Sequence, residues 1–180
     1  PSEIGNLSKL EYLIISGNNI ESVPDEITKL SNLKRLDVAF NQINSIPSAI
    51  GNLTNLLELF ANNNNISTIP VSIGNLKKLE ILFVDENKID SIPAEIGNLI
   101  SLKELGLIFN NISVIPTQIG NLINLQELLL QGNPISSLPA EIVKLKNLTY
   151  LDLQDTKIPV DKQTSIEGML PNAFISFPYE

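Results

Sequence analysis

The 180-residue chain contains no cysteine and no histidine. Without cysteine there is no disulfide, no thiolate metal site and no thiol nucleophile. Without histidine, the commonest general base and the commonest metal ligand at neutral pH are missing. Positive charge is scarce: 12 Lys and Arg stand against 20 Asp and Glu, a net charge of −8. That balance argues against nucleic acid, whose phosphates need a basic face. It argues equally against an anionic membrane surface. No uninterrupted apolar run approaches the roughly 18 residues of a membrane span, so no membrane insertion is expected. No basic segment followed by an apolar stretch opens the sequence as a signal peptide would, an absence that a processed chain would share. What remains is 43% hydrophobic and only 18% charged. It is too apolar for disorder and long enough for one domain with a sizeable core.

The chain is periodic. Prolines fall at Pro1, Pro24, Pro47, Pro70, Pro93, Pro116 and Pro139, always 23 residues apart. Three residues after each comes Ile, from Ile4 to Ile142, and six after it comes Leu, from Leu7 to Leu145. Leu returns at Leu10 through Leu148 and at Leu13 through Leu151. An aliphatic column follows (Ile15, Val38, Ala61, Val84, Leu107, Leu130, Leu153), in which Ala61 is the small member. Next comes Asn in six units: Asn18, Asn41, Asn64, Asn87, Asn110 and Asn133. Ile closes all seven units, from Ile20 to Ile158.

Physical chemistry turns this period into a coil. The segment L-x-x-L-x-Φ, with Φ aliphatic, alternates as a short strand with one buried face. About 20 residues separate successive strands, too many for a hairpin, so each strand returns parallel to the last. The P-x-x-I-x-x-L segment reads as a short helical or 3₁₀ turn, with Pro where a missing N–H is harmless. One unit cannot bury its own Ile and Leu, whereas stacked units share a continuous core. At about 4.8 Å per strand, seven units make a sheet roughly 30 Å wide.

The unit P-x-x-I-G-N-L-x-x-L-x-x-L-x-Φ-x-x-N-x-I-x-x-I resembles the leucine-rich repeat family, whose core phrase is L-x-x-L-x-L-x-x-N-x-L. Its 23-residue length is similar to the proline-marked repeats of Ras-group intracellular proteins and of bacterial surface or secreted proteins. Plant receptor repeats share I-P-x-x-I-G-N-L but run one residue longer, with an extra Gly that ISVIP (112–116) lacks. The resemblance implies an α/β repeat fold: a right-handed solenoid with a parallel concave sheet and short helical or 3₁₀ turns on its convex side. Seven repeats over residues 1–160 are expected, followed by a capping segment over 161–180. In that segment a short amphipathic helix is expected through Met169 and Leu170. A last strand or lid carrying Phe174, Ile175 and Phe177 is expected to cover the final core layer with aromatics. Thr156 replaces the ladder Asn in the last unit. No cap precedes Pro1, and the open Ile4, Leu7, Leu10 and Leu13 suggest that more protein originally stood before it.

The resemblance also implies that the residues flanking the two core positions of each strand face the concave surface. Scaffold columns scarcely vary, whereas these columns vary freely. One holds Tyr12, Arg35, Glu58, Ile81, Glu104, Glu127 and Tyr150; the next holds Ile14, Asp37, Phe60, Phe83, Gly106, Leu129 and Asp152. The following two contribute Asp85 and Ile108, then Phe40 and Phe109. Large apolar groups are out of place on a solvated sheet face, and apolar clusters with polar rims mark interaction sites. A protein or peptide with apolar side chains and some Lys or Arg would complement the acidic rim. A second copy of the chain is the competing occupant. Glu104 and Glu127, adjacent in one column, are a carboxylate pair, but no metal-ligand set, oxyanion site or pocket accompanies them. The expectation is therefore a non-enzymatic binding module with no cofactor. A secreted or cell-surface bacterial protein is favoured over the alternative, the recognition segment of a larger cytoplasmic signalling protein. Five N-x-S/T sequons, at Asn6, Asn52, Asn65, Asn111 and Asn147, arise where repeat phrases happen to meet Ser or Thr.

Overall fold

The computed structural model describes residues 2–177. Pro1, first of the periodic prolines, and residues 178–180 of the expected capping segment lie outside them. Three-residue strands recur once per unit: β1 (Tyr12–Ile14), β2 (Arg35–Asp37), β3 (Glu58–Phe60), β4 (Ile81–Phe83), β5 (Glu104–Gly106), β6 (Glu127–Leu129) and β7 (Tyr150–Asp152). An eighth, β8 (Phe174–Ser176), follows the α-helix α1 (Val160–Met169). All eight form one open parallel sheet in sequence order. The register advances one whole unit per strand: Leu13, Leu36, Leu59, Leu82, Leu105, Leu128 and Leu151 stand in one row. This is a leucine-rich-repeat solenoid.

Each proline presets the turn on the opposite side. Pro24, Pro70, Pro93, Pro116 and Pro139 sit at φ −66° to −69° and ψ 144° to 149°, each just before a five-residue 3₁₀ helix. Pro47 departs: its 3₁₀ helix shrinks to Ile50–Asn52 and starts after Ala49. The cause lies one repeat back. Where other units have Gly5, Gly51, Gly74, Gly97 and Gly120, this stack has Thr28. A Cβ at Gly97 would come within 2.5 Å of the Gln118 carbonyl, and one at Gly120 within 2.5 Å of the Glu141 carbonyl. Glycine thus sets the close approach of successive turns, and Thr28 forces the next turn to give way. Val143, the other exception, faces no further 3₁₀ turn, because α1 takes its place.

Between sheet and turns the aliphatic columns are sealed from Ile27 onward, with Leu59, Leu82, Leu105 and Leu128 fully buried. Ala61 is also fully enclosed, so its small side chain leaves no opening to solvent. At the amino-terminal end Ile4, Leu10, Leu13, Ile15 and Ile20 are only partly covered, and an apolar cleft of about 350 Å³ opens among Ile4, Leu13, Ile15, Ile20 and Val23. The other end is closed mainly by aliphatic side chains, and of the expected aromatics Phe177 packs partly buried on the core while Phe174 does not. Ile166 of α1 and Leu170 are 5% exposed against the core, whereas Phe174 is 70% exposed. Phe174 stacks on Tyr150 at 6.0 Å, because β8 places it beside Tyr150 on the outward side of the sheet. The inward position of β8 belongs to Ile175, partly buried on the core.

Asparagine binds the repeats to one another. Asn64 Oδ1 accepts the Ile43 N–H at 2.9 Å, and its Nδ2 donates to the carbonyls of Val38, Ala61 and Asn62. Asn41, Asn87, Asn110 and Asn133 repeat the pattern. Each satisfies buried backbone groups of its own unit and of the unit before it. Of the four asparagines at 62–65, only Asn64 does this work. Asn62 and Asn63 hydrogen-bond each other and Glu86, while the Asn65 N–H donates to the Ile43 carbonyl.

Candidate concave interface

Strand pleating fixes which side chains lie outside. In β3, Leu59 is buried while Glu58 and Phe60 are half-exposed, and β4 and β6 repeat the alternation. Parallel register then brings Phe60 beside Phe83, and their rings meet edge to face with centroids 5.6 Å apart. Arg35 lies across the next face: its guanidinium carbon is 4.4 Å from the Phe60 centroid. The same guanidinium reaches Glu58 and Asp37, each at 3.0 Å. Among the described residues, Nε of Arg35 is a buried side-chain nitrogen without a hydrogen-bond partner. The aromatic pair is therefore anchored from within rather than presented as two free rings.

The β5–β6 half is built differently. Gly106 has no side chain, and the Asp85 carboxylate and the Phe83 ring lean over it, each within 3 Å of where a Cβ would stand. Asp85 accepts the Ile108 N–H at 2.7 Å. Burial nevertheless pushes its carboxyl above the usual range, with Glu86 adding to the effect. Glu104 and Glu127 stand opposite each other in register. Glu104 is raised by desolvation and then by the charges of Glu127 and Glu58, against a smaller pull from Lys103. Lys103 itself is engaged with Glu80 at 2.6 Å. Among the described residues, neither Glu104 nor Glu127 has an ion-pair partner.

The remaining predicted site residues spread outward from this centre. Ile81 and Leu129 are half-exposed beside it, as is Ile108. Tyr12 and Ile14, both 59% exposed, lie on the β1 edge. Tyr150 is half-buried under Phe174, and Asp152 is only 6% exposed, one carboxylate oxygen accepting the Gln154 N–H. Phe40 and Phe109 stand apart for a reason the repeat alignment did not expose. Their whole column is left-handed: Gly17, Phe40, Asn63, Glu86, Phe109, Gly132 and Asp155 all have φ between 49° and 72°. The two glycines were the available signal, since glycine enters that region without steric cost. Two phenylalanines placed there remain 58% and 49% exposed. The Phe109 ring lies where a side chain on Gly132 would collide with it.

A second polar ladder also went unread. Asn32, Asn55, Asn124 and Asn147 each donate from Nδ2 to the carbonyl 24 residues earlier, at 2.7 to 2.8 Å. The signal was present in the recurrent N-L phrase before the strand. Asn147, one of the five sequon residues, is thereby occupied in the scaffold.

The geometry matches known structures. The chain resembles a leucine-rich repeat protein of Leptospira interrogans, with 34% identity over 98% of this chain and a TM-score of 0.79. It resembles an internalin of Listeria monocytogenes at 28% identity over 99% of the chain, TM-score 0.82. It is also similar to the plant peptide hormone receptor RGFR1, solved in complex with RGF2, at 33% identity over 99% and TM-score 0.88. The chain spans 51% of each bacterial structure and 30% of the receptor. No curated relative matches the sequence. A family profile described as a leucine-rich repeat region matches residues 1–91 and again 87–170, and the chain accordingly belongs to the leucine-rich repeat family.

Proposed function

We propose that the concave face between β2 and β6 docks a protein or peptide partner, and that the chain acts by binding rather than by catalysis. The observation that carries this reading is the Phe60–Phe83 pair, held half-exposed beside Ile81 and Leu129 on a sheet face that also carries Asp37, Glu58, Glu104 and Glu127. Aromatic groups fixed in this way lose little entropy when a partner covers them, which is how interface anchors work. The receptor RGFR1, similar over nearly the whole chain, was solved with its peptide hormone, which supports a peptide occupant. Glu104 and Glu127 lie side by side on an open sheet, a poor setting for acid–base chemistry, which needs enclosure from water.

The similarity to an internalin favours a bacterial surface or secreted setting. The second reading, a recognition segment of a larger signalling protein, draws on the similarity to the ectodomain of the Arabidopsis thaliana receptor kinase GASSHO1/SCHENGEN3, of which the chain spans 25%. The full gene discriminates them: a signal peptide favours the first, an attached catalytic domain the second. The test of the site is a pull-down from the native environment with wild type and with Phe60→Asp/Phe83→Asp. Specific partners are expected to disappear with the double variant while its circular dichroism and melting temperature stay close to wild type. Equal capture by both proteins would remove the concave anchor from consideration.

A further inference from the structure

The two halves of the concave face differ in charge balance, and the difference defines what the partner must bring. In the β2–β3 half, one guanidinium completes the site. Arg35 reaches Glu58 on the next strand, Asp37 two residues on, and the ring of Phe60. Two repeats further, Ile81 stands in the place of Arg35, Glu104 in that of Glu58, Phe83 in that of Asp37 and Gly106 in that of Phe60. One of the two acceptors, Glu104, and an aromatic ring, now Phe83, are present there, and the cation is not. Glu127 adds a second carboxylate in register, and Asp85 a third over the bare backbone of Gly106.

We infer that the partner is an extended peptide segment whose Arg or Lys side chain sits between Glu104 and Glu127 while a neighbouring apolar side chain packs on Phe60 and Phe83. The inference rests on the concave docking reading and narrows it to one chemistry. Three features agree on it. First, the protein already shows how this face holds a guanidinium, at Arg35. Second, the face surrounding the aromatic pair carries more carboxylates than cations, and its own cation, Arg35, is already paired with Glu58 and Asp37, so charge complementarity selects a basic occupant. Third, Glu104 and Glu127 face each other in register, and a cation between them would offset the repulsion that helps to raise the Glu104 carboxyl.

Spacing follows from the sheet. From Phe83 on β4 to the midpoint between β5 and β6 is one and a half strand spacings, roughly 7 Å. The two columns are offset by two residues along the strand, again roughly 7 Å. The diagonal of about 10 Å is the span of about three extended residues. The basic and apolar side chains are therefore expected within two to four positions of each other.

The experiment is selection of a random linear dodecapeptide library on three immobilised proteins: wild type, Glu104→Gln/Glu127→Gln, and Phe60→Asp/Phe83→Asp. Peptides enriched on wild type are then synthesised and titrated by fluorescence anisotropy. The expected result is enrichment of Arg or Lys within two to four positions of a large apolar residue. Affinity should fall at least about tenfold on the glutamine variant, whose substitutions keep the side-chain shape. It should fall also when salt is raised to about 500 mM. Enrichment of neutral or acidic peptides, or basic peptides that bind the glutamine variant within about twofold of wild type, would overturn the cation site. If those peptides still fail on the aspartate variant, the concave reading survives alone. Peptides that bind all three proteins equally, or no enrichment at all, would overturn both.

Discussion

Two residue types carry more of this fold than their size suggests. Asn87 accepts the Ile66 N–H at 2.9 Å and donates to the carbonyls of Ala61, Val84 and Asp85 at 3.0 to 3.1 Å. Replacing it with Ala strands the buried Ile66 N–H, at about 1–3 kcal/mol, while each of the three carbonyls keeps a second donor, from Asn64, Asn110 or the Asn63 backbone. Asn87→Ala is thus expected to lose about 1–3 kcal/mol in urea denaturation. Asn18 donates only to the nearby Ile15 and Ser16 carbonyls and is exposed, so Asn18→Ala should cost below about 1 kcal/mol. Equal losses at the two positions would show that the ladder bonds are not what matters. The left-handed column gives the opposite case. Phe40 occupies φ 53° with its ring 58% exposed, so its backbone strain is met by little burial. Phe40→Asn, the residue already used at Asn63, should stabilise by up to about 1 kcal/mol, because Asn tolerates this region better. A loss larger than that would show that the ring packs more usefully than its exposure indicates.

Among the elements, the 3₁₀ turns depend on absent side chains. Gly97→Ala would press a methyl group against the Gln118 carbonyl, 2.5 Å away. The turns must then separate, and a loss of about 1–3 kcal/mol is expected by the usual cost of overpacking. Thr28 shows how the fold relaxes when the column is broken, since the following 3₁₀ helix is shortened. A Gly97→Ala variant as stable as wild type in thermal melts would mean that the stack is looser than this spacing implies. These features also show what a sequence discloses. Period, strand register, the proline-led turns and the inward Asn64 were legible because each repeats seven or nearly seven times. The positive-φ column was not, because Phe, Asn, Glu and Asp hide what Gly17 and Gly132 reveal. The carboxyl-terminal closure was half legible. The helix and last strand were expected, but a single occurrence offers no column to tell Phe174 outward from Ile175 inward. At the site, the alignment placed Phe60 beside Phe83, whereas side-chain reach across strands, as in Arg35 over Phe60, lies beyond what columns record.

For the molecule as a whole, a net charge of −8 must be carried by a stack in which each repeat touches mainly its neighbours. Cross-repeat pairs such as Glu11–Lys34 and Glu80–Lys103 are exposed and contribute little each. Among the described carboxylates without an ion pair, Glu104 and Glu127 face each other in register, and Glu104 makes stability depend on pH. The folded-state Glu104 carboxyl titrates above its unfolded value. Below both values the group is neutral in either state and costs nothing. As pH rises through the carboxylate range, the unfolded chain ionises first, so stability is lost and the penalty is complete near neutrality. Glu104→Gln removes it. The variant should therefore be more stable than wild type in urea at about pH 7, and the gap should close towards about pH 3, where both side chains are neutral. A gap of the same size at both pH values would point to packing rather than charge. The same substitution is expected to weaken a basic peptide. Higher stability with lower affinity in one variant is what a binding residue held against its own electrostatics should show, since the unfavourable charge is kept for the partner that relieves it.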